Sequence, residues 1–113
     1  MRVMHGNPEV GPVFDALADT TRRQVVRLLG EGPRRAGELA EASGVAPPAM
    51  SKHLRVLLDA GVVSAERRPD DARVRVFRLL PESIDALSGW IDELRAEWDQ
   101  QLDSFKQHVE KRR

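Results

Sequence analysis

Apolar and polar positions along this 113-residue chain repeat with two different periods. Between Ala36 and Ala60 the period is helical, in two short runs. Ala36, Leu39 and Ala40 make one stripe, and Met50, Leu54, Leu57 and Leu58 fall at i, i+4, i+7 and i+8 to make a second. The corner between them is Ser43-Gly44-Val45, with Gly44 just past the last periodic residue, where a left-handed backbone is cheapest without a β-carbon. The second run can start at Pro47 or Pro48, because a proline in the first turn lacks only an N–H that would have no intrahelical partner; Gly61 closes it. Ser51, Lys52 and Arg55 point away from the apolar stripe. Two helices, a glycine-bearing turn and a polar, basic outer face predict a helix-turn-helix over residues 36–60, which is a DNA-reading device.

Ahead of it, residues 1–9 read as a loose lead-in with a Gly6-Asn7-Pro8 turn signal. A short helix from Pro12 carries Val13, Phe14, Leu17 and Ala18 as its apolar face. Asp19 suits the N-cap of a second helix with Val25, Leu28 and Leu29 toward the core, ended by Gly30 and Gly32-Pro33. Arg22 and Arg23 lie in its first turn, where cations oppose the macrodipole. Either they are solvated surface arginines or one of them reaches a phosphate.

After Gly61 the period becomes strand-like, in residues 62–68 and 73–79 around the turn formers Pro69-Asp70-Asp71-Ala72. The result is a β-hairpin, a wing over residues 62–79, with Phe77 and Leu79 inward because they adjoin the final helix. A two-stranded hairpin is marginal alone and must pack on the helices. From Pro81 to about Glu110 the helical period returns, with Ile84, Leu87, Ile91, Leu94, Trp98, Leu102, Phe105 and Val109 stepping by threes and fours and Trp90 beside them. A helix of roughly 45 Å is longer than so small a domain can cover. Its stripe most simply buries against a twofold-related copy, through Leu87, Trp90, Ile91, Leu94, Trp98, Leu102 and Phe105 together with Val13, Phe14 and Leu17 of the first helix. A cofactor-binding aromatic box from Trp90 and Trp98 is the sharper alternative. Gly89 inside the helix costs about 1 kcal/mol against alanine, tolerable where it permits close helix approach. The expected fold is mainly α: one winged helix-turn-helix domain over residues 1–113, with about five helices, a two-stranded hairpin wing, and a dimerisation helix over 81–110.

Composition narrows the class. Apolar residues at 41% are too many for a disordered chain, and 32% charged residues suit a soluble helical surface. The formal net charge is zero, which argues against nonspecific coating of nucleic acid. The charge is segregated, however: residues 1–78 hold 13 Lys/Arg against 10 Asp/Glu, and residues 79–113 hold 5 against 8. The front at +3 suits DNA and the tail at −3 suits protein. There is no cysteine, hence no disulfide or thiolate metal site. The N-terminus lacks the apolar run of a signal peptide, and no stretch approaches the roughly 18 apolar residues of a membrane span, so the cytoplasm is expected. His5, His53 and His108 lie far apart and form no metal-ligand spacing. No nucleophile–base pair, carboxylate dyad or glycine-rich phosphate loop is visible, so neither enzyme nor cofactor is expected.

Candidate DNA contacts are Pro47, Pro48, Ser51, Lys52, His53 and Arg55 on the second helix, with Arg67, Arg68, Arg73 and Arg75 on the wing. Lys52 and Arg55 can reach a phosphate or a guanine edge, and Ser51 can donate or accept at either. His53 lies nearer the core edge, either as a packing histidine with one polar contact or as a phosphate donor. The wing arginines either follow the DNA backbone or are solvated charge with Asp70 and Asp71 as local partners.

The strings Ala16-Leu17-Ala18-Asp19-Thr20-Thr21-Arg22-Arg23, Glu38-Leu39-Ala40, Ser51-Lys52-His53-Leu54 and Ala60-Gly61-Val62-Val63 resemble the ArsR family of winged-helix bacterial repressors, over about residues 12–80. The resemblance implies a homodimer joined through first and last helices, which binds an inverted-repeat operator in double-stranded DNA and blocks transcription until an inducer arrives. Metal-sensing members carry a cysteine pair where this chain has Arg35 and Gly37, and others bind zinc through the last helix, which here has only His108. The chain therefore resembles the cysteine-free members, with no metal. Pro47 stands where many relatives have a polar residue able to read a base, which shifts weight to Ser51, Lys52 and Arg55. The rival reading is a winged-helix protein-interaction adaptor, favoured by zero net charge and disfavoured by the basic outer face.

Overall fold

The computed structural model describes residues 10–111, so the lead-in expected at 1–9 lies outside the described residues. Helix α1 spans Val10–Leu17 and starts two residues ahead of Pro12, which is accommodated in the first turn. Its buried residues are Val13 and Ala16, one turn apart. Ala18, expected on that face, lies past the helix end and is exposed. Val13 is fully buried in the chain's own core, where a second chain has no access, so it is not a dimer contact. Leu17 and Leu87 are partly buried against the same core. Phe14 stays outside, meeting the ring of Trp90 edge-on at 5.3 Å.

Helix α2 spans Thr20–Glu31, capped as expected by Asp19, whose carboxylate accepts the Arg22 N–H at 3.0 Å. Gly30 does not end it; the helix runs on to Glu31, and Gly32 closes it at φ +153 with its N–H to the Leu29 carbonyl. The Arg22 N–H holds the Asp19 carboxyl below its ordinary value of 3.8, against a smaller opposing effect of burial. Such a depressed acid contributes stability that is present above the ordinary value and lost as pH falls through the folded one. Asparagine at this position keeps the cap acceptor but cannot titrate. The gap in thermal midpoint between wild type and Asp19→Asn is therefore expected to narrow as pH drops below about 4. A gap that stays constant through an acid series would deny the cap this role.

A strand that periodicity does not signal follows: β1, Arg34–Arg35, only two residues long. With β2 (Val63–Arg67) and β3 (Arg75–Leu79) it makes a three-stranded antiparallel sheet in the order β1-β3-β2. Arg34 pairs with Phe77, and Ala65 pairs with Phe77 from the other side. The wing is thus not a free two-stranded hairpin; β1 covers the second edge of β3 and fastens it to the helices. The paired strands stop short of the tip, leaving residues 68–74 as the connecting loop. Phe77 is buried and Leu79 packs against the core, the orientation expected from their position beside the last helix.

Helices α3 (Ala36–Ser43) and α4 (Pro47–Asp59) form the helix-turn-helix. Gly44 at φ +66 and Gly61 at φ +76 supply the two left-handed corners that its geometry requires. Leu39 and Ala40 of α3 and Met50, Leu54 and Leu57 of α4 meet Val25, Leu29, Val62, Val63 and Phe77 in one core. Helix α5 spans Pro81–Lys111. Its start is pinned by the fully buried Ser83, whose Oγ donates to the Gly61 carbonyl just past the end of α4. Residues 95–110 are all exposed, so the helix overhangs the body of a molecule 71 Å long.

Candidate nucleic-acid interface

Helix α4 opens with Pro47 and Pro48, both exposed, after Ala46, whose side chain makes no capping hydrogen bond. The prolines remove two N–H groups from the helix start, and the Met50 N–H already bonds the Ala46 carbonyl. Their rings offer apolar contact of the kind a thymine methyl accepts, not a hydrogen bond. Ser51, Lys52 and Arg55 are all exposed, with Arg55 about one turn on from the other two. Among the described residues Arg55 has one long contact, 3.9 Å to Asp59, with both side chains well solvated, which leaves its guanidinium available.

A groove of about 970 Å³ separates this face from the sheet. Ser51, Lys52 and Arg55 line one bank and Arg73 and Arg75 the other, with Arg35 at the α3 end. Arg75 leans over the Phe77 ring, 5.2 Å from its centroid. Helix and wing cations from distant parts of the chain therefore converge on one concavity. Arg35 is a member that sequence reading missed as a contact; it counted only as a missing cysteine, although the basic pair Arg34-Arg35 just ahead of α3 was the available signal. Its backbone N–H donates to Glu38 Oε1 at 2.8 Å, which holds the Glu38 carboxyl below its ordinary value.

The wing tip is more self-contained than the groove. Arg68 makes a two-pronged pair with Asp70 at 2.9 and 2.6 Å, and Arg73 pairs with Asp71 at 3.1 and 3.3 Å. Hydrogen bonds from these guanidinium groups lower the pKa of both aspartates and raise that of Arg68. Arg67 donates to the Ala72 carbonyl across the loop. The local-partner reading thus describes the DNA-free tip at Arg68 and Arg73, while Arg75, among the described residues, rests on the Phe77 ring. Exposed pairs of this kind are weak, so phosphates can displace them.

Arg22 and Arg23 are not free surface cations. Arg22 donates to the carbonyls of Ala16 and Asp15, and Arg23 to that of Leu17, so the pair ties α2 to the end of α1. His53 is half-buried, with Nδ1 3.3 Å from Arg22 Nη1, the packing arrangement with a polar contact. Among the described residues no group of three or more His, Asp or Glu is placed to hold a metal ion, and no helix is long and apolar enough to cross a membrane.

Residues 19–65 match the model of the bacterial regulatory protein family named for arsR. The HTH-type transcriptional regulator Rv2034 of Mycobacterium tuberculosis is 39% identical over 97 residues, covering 86% of this chain and 85% of that one. The chain belongs to the arsR family. An ArsR-like transcriptional regulator from Rhodococcus sp. RHA1 has the same fold, at 31% identity and a TM-score of 0.77, with 87% of this chain and 90% of that one aligned. The homodimeric winged helix-turn-helix DNA-binding domain of a possible ArsR-family regulator from Mycobacterium bovis superposes with a TM-score of 0.59 at 26% identity, covering 82% and 81% of the two chains. This arsR-family chain thus has the winged helix-turn-helix fold, with five helices and a small antiparallel sheet. The family is one of transcriptional regulators, not enzymes.

Proposed function

We propose that the chain acts as a homodimeric repressor that binds an inverted-repeat operator, with one α4 in each of two successive major grooves. The observation that carries this reading is the convergence of Lys52, Arg55, Arg73 and Arg75 on one concave face. A second support is the exposed apolar row on α5, from Trp90 and Ile91 to Leu102 and Phe105, next to the Phe14–Trp90 contact. A row of this size on a soluble chain calls for a partner, and a second copy supplies the same row. The homodimeric Mycobacterium bovis domain and the Bacillus subtilis transcriptional repressor SdpR, 41% identical over 56 residues, point the same way. In the dimer, half-sites would be centred roughly 34–36 Å apart on one face of the duplex. Lys52 and Arg55 would carry base-edge contacts, and the wing arginines would follow the flanking backbone.

Selection of bound fragments from random DNA tests the whole reading, because a palindrome reports class, symmetry and half-site together. Failure to enrich any sequence in dilute salt would sink it. The wing's share is measured separately. With zero formal net charge, affinity must come from this patch, and it is expected to fall steeply with salt. In an Arg73→Ala, Arg75→Ala variant the slope of log affinity on log salt should become shallower by about 0.9 for each phosphate no longer neutralised. A slope equal to wild type would remove the wing from the interface.

A further inference from the structure

Arg22 sits in the first turn of α2, an unfavourable place for a cation with respect to that helix's own dipole. Its guanidinium turns instead to the C-terminal end of α1, where a cation is favourable. Nε donates to the Ala16 carbonyl at 2.6 Å and Nη2 to that of Asp15 at 3.3 Å. Nη1 reaches Nδ1 of His53, in the middle of α4, at 3.3 Å. Arginine has no acceptor, so in this contact the guanidinium donates and Nδ1 accepts. Asp19 Oδ1 stands 3.9 Å from the same Nδ1. Three helices therefore meet at one side chain: α1, which carries Phe14 against Trp90 of α5; α2; and the recognition helix.

The rest of α4's attachment is apolar, through Met50, Leu54 and Leu57. Apolar packing is itself non-directional, and a hydrogen bond adds a directional constraint to it. Among the described residues, the Arg22–His53 contact is the one side-chain hydrogen bond that joins α4 to another element. We infer that Arg22 and His53 are the link through which the α1–α5 face sets the orientation of α4, which makes Arg22 a positioning residue for DNA binding and not a phosphate contact. The inference rests on the DNA-binding reading above. Two recognition helices must enter successive grooves together, so a small rotation of each about its axis misaligns Ser51, Lys52 and Arg55 at both half-sites.

The test uses the full chain and the fragment recovered from random DNA, with affinity measured over a salt series and dimer mass by sedimentation. His53→Leu removes the acceptor and is expected to weaken operator binding about tenfold. His53→Asn places an amide oxygen near the position of Nδ1 and should stay within about threefold of wild type. Arg22→Gln should match His53→Leu, and the double variant should bind no more weakly than either, since the two residues form one link. In all of them the salt slope and the dimer mass should equal wild type. A slope shallower by about 0.9 in Arg22→Gln would make Arg22 a phosphate contact and overturn the proposal. So would equal weakening in His53→Leu and His53→Asn, or wild-type affinity in His53→Leu. Should Arg22→Gln fail to fold, the two His53 variants decide the matter alone. A wild-type chain that retains no fragment would instead remove the DNA-binding reading, and the link falls with it.

Discussion

Replacing both Lys52 and Arg55 by alanine is expected to weaken operator binding about a hundredfold or more, with little change in thermal stability. Each good pairing with a base edge carries about 1–3 kcal/mol of discrimination, and two removed from each recognition helix multiply. Stability should hold because neither side chain supports the fold: both are exposed, and the Arg55–Asp59 contact is 3.9 Å long with side chains 74% and 69% exposed. The pattern of weakening also separates two roles. If these residues read bases, the variant binds mismatched operators almost as well as the selected one, and the sequence preference collapses. If they touch only phosphates, affinity falls alike on every sequence while the preference survives. Competition between operator and scrambled DNA distinguishes the two. Operator affinity within threefold of wild type would move recognition away from α4.

The helix-turn-helix was legible because local signals agreed. Gly44 and Gly61 are needed at positive φ, the prolines sit in a permitted first turn, and Met50, Leu54 and Leu57 keep the helical period. The N-cap Asp19 and the inward Phe77 were readable for the same reason. Strand β1 was not, because two residues carry no period and their pairing partners lie more than forty positions away. The partners of Arg22 and Arg23 escaped for a related reason, whereas the packing alternative for His53 was already open in the sequence. A guanidinium's target depends on which carbonyls another helix leaves unpaired at its end, and α1 ends beside them only in the folded chain. Val13 shows the converse limit: the period of α1 identified its apolar residues but not which of them face inward and which outward. Arg35 joined the groove through strand pairing, since β1 sets it opposite Val76, next in sequence to Arg75.

A Trp98→Glu, Phe105→Glu variant is expected to be a monomer, and to bind operator at least a hundredfold more weakly although every DNA-facing residue is intact. Trp98 and Phe105 are 59% and 66% exposed, and neither belongs to the core that closes around Leu39, Met50 and Leu57. The single chain should therefore still unfold cooperatively near the wild-type midpoint extrapolated to dilute protein. In the dimer the same positions would be buried, and four carboxylates without partners in an apolar seam oppose association by several kcal/mol each. Glu97, Asp99 and Asp103 already stand near the substituted positions and outweigh Arg95 and Lys106, so the helix's own charge does not compensate the new carboxylates. Once the pair is broken, the second half-site is no longer held at high effective concentration, which weakens binding by about 10²–10⁴ with every DNA-facing side chain unchanged. The distal helix is also left without apolar cover, and its last turns should fray, visible as a modest fall in helical circular dichroism. Sedimentation and operator titration of the same sample decide the point. A variant that remains dimeric would place the twofold contact on Phe14, Trp90 and Ile91 alone, and a monomer that keeps wild-type affinity would deny that the operator is read by a pair.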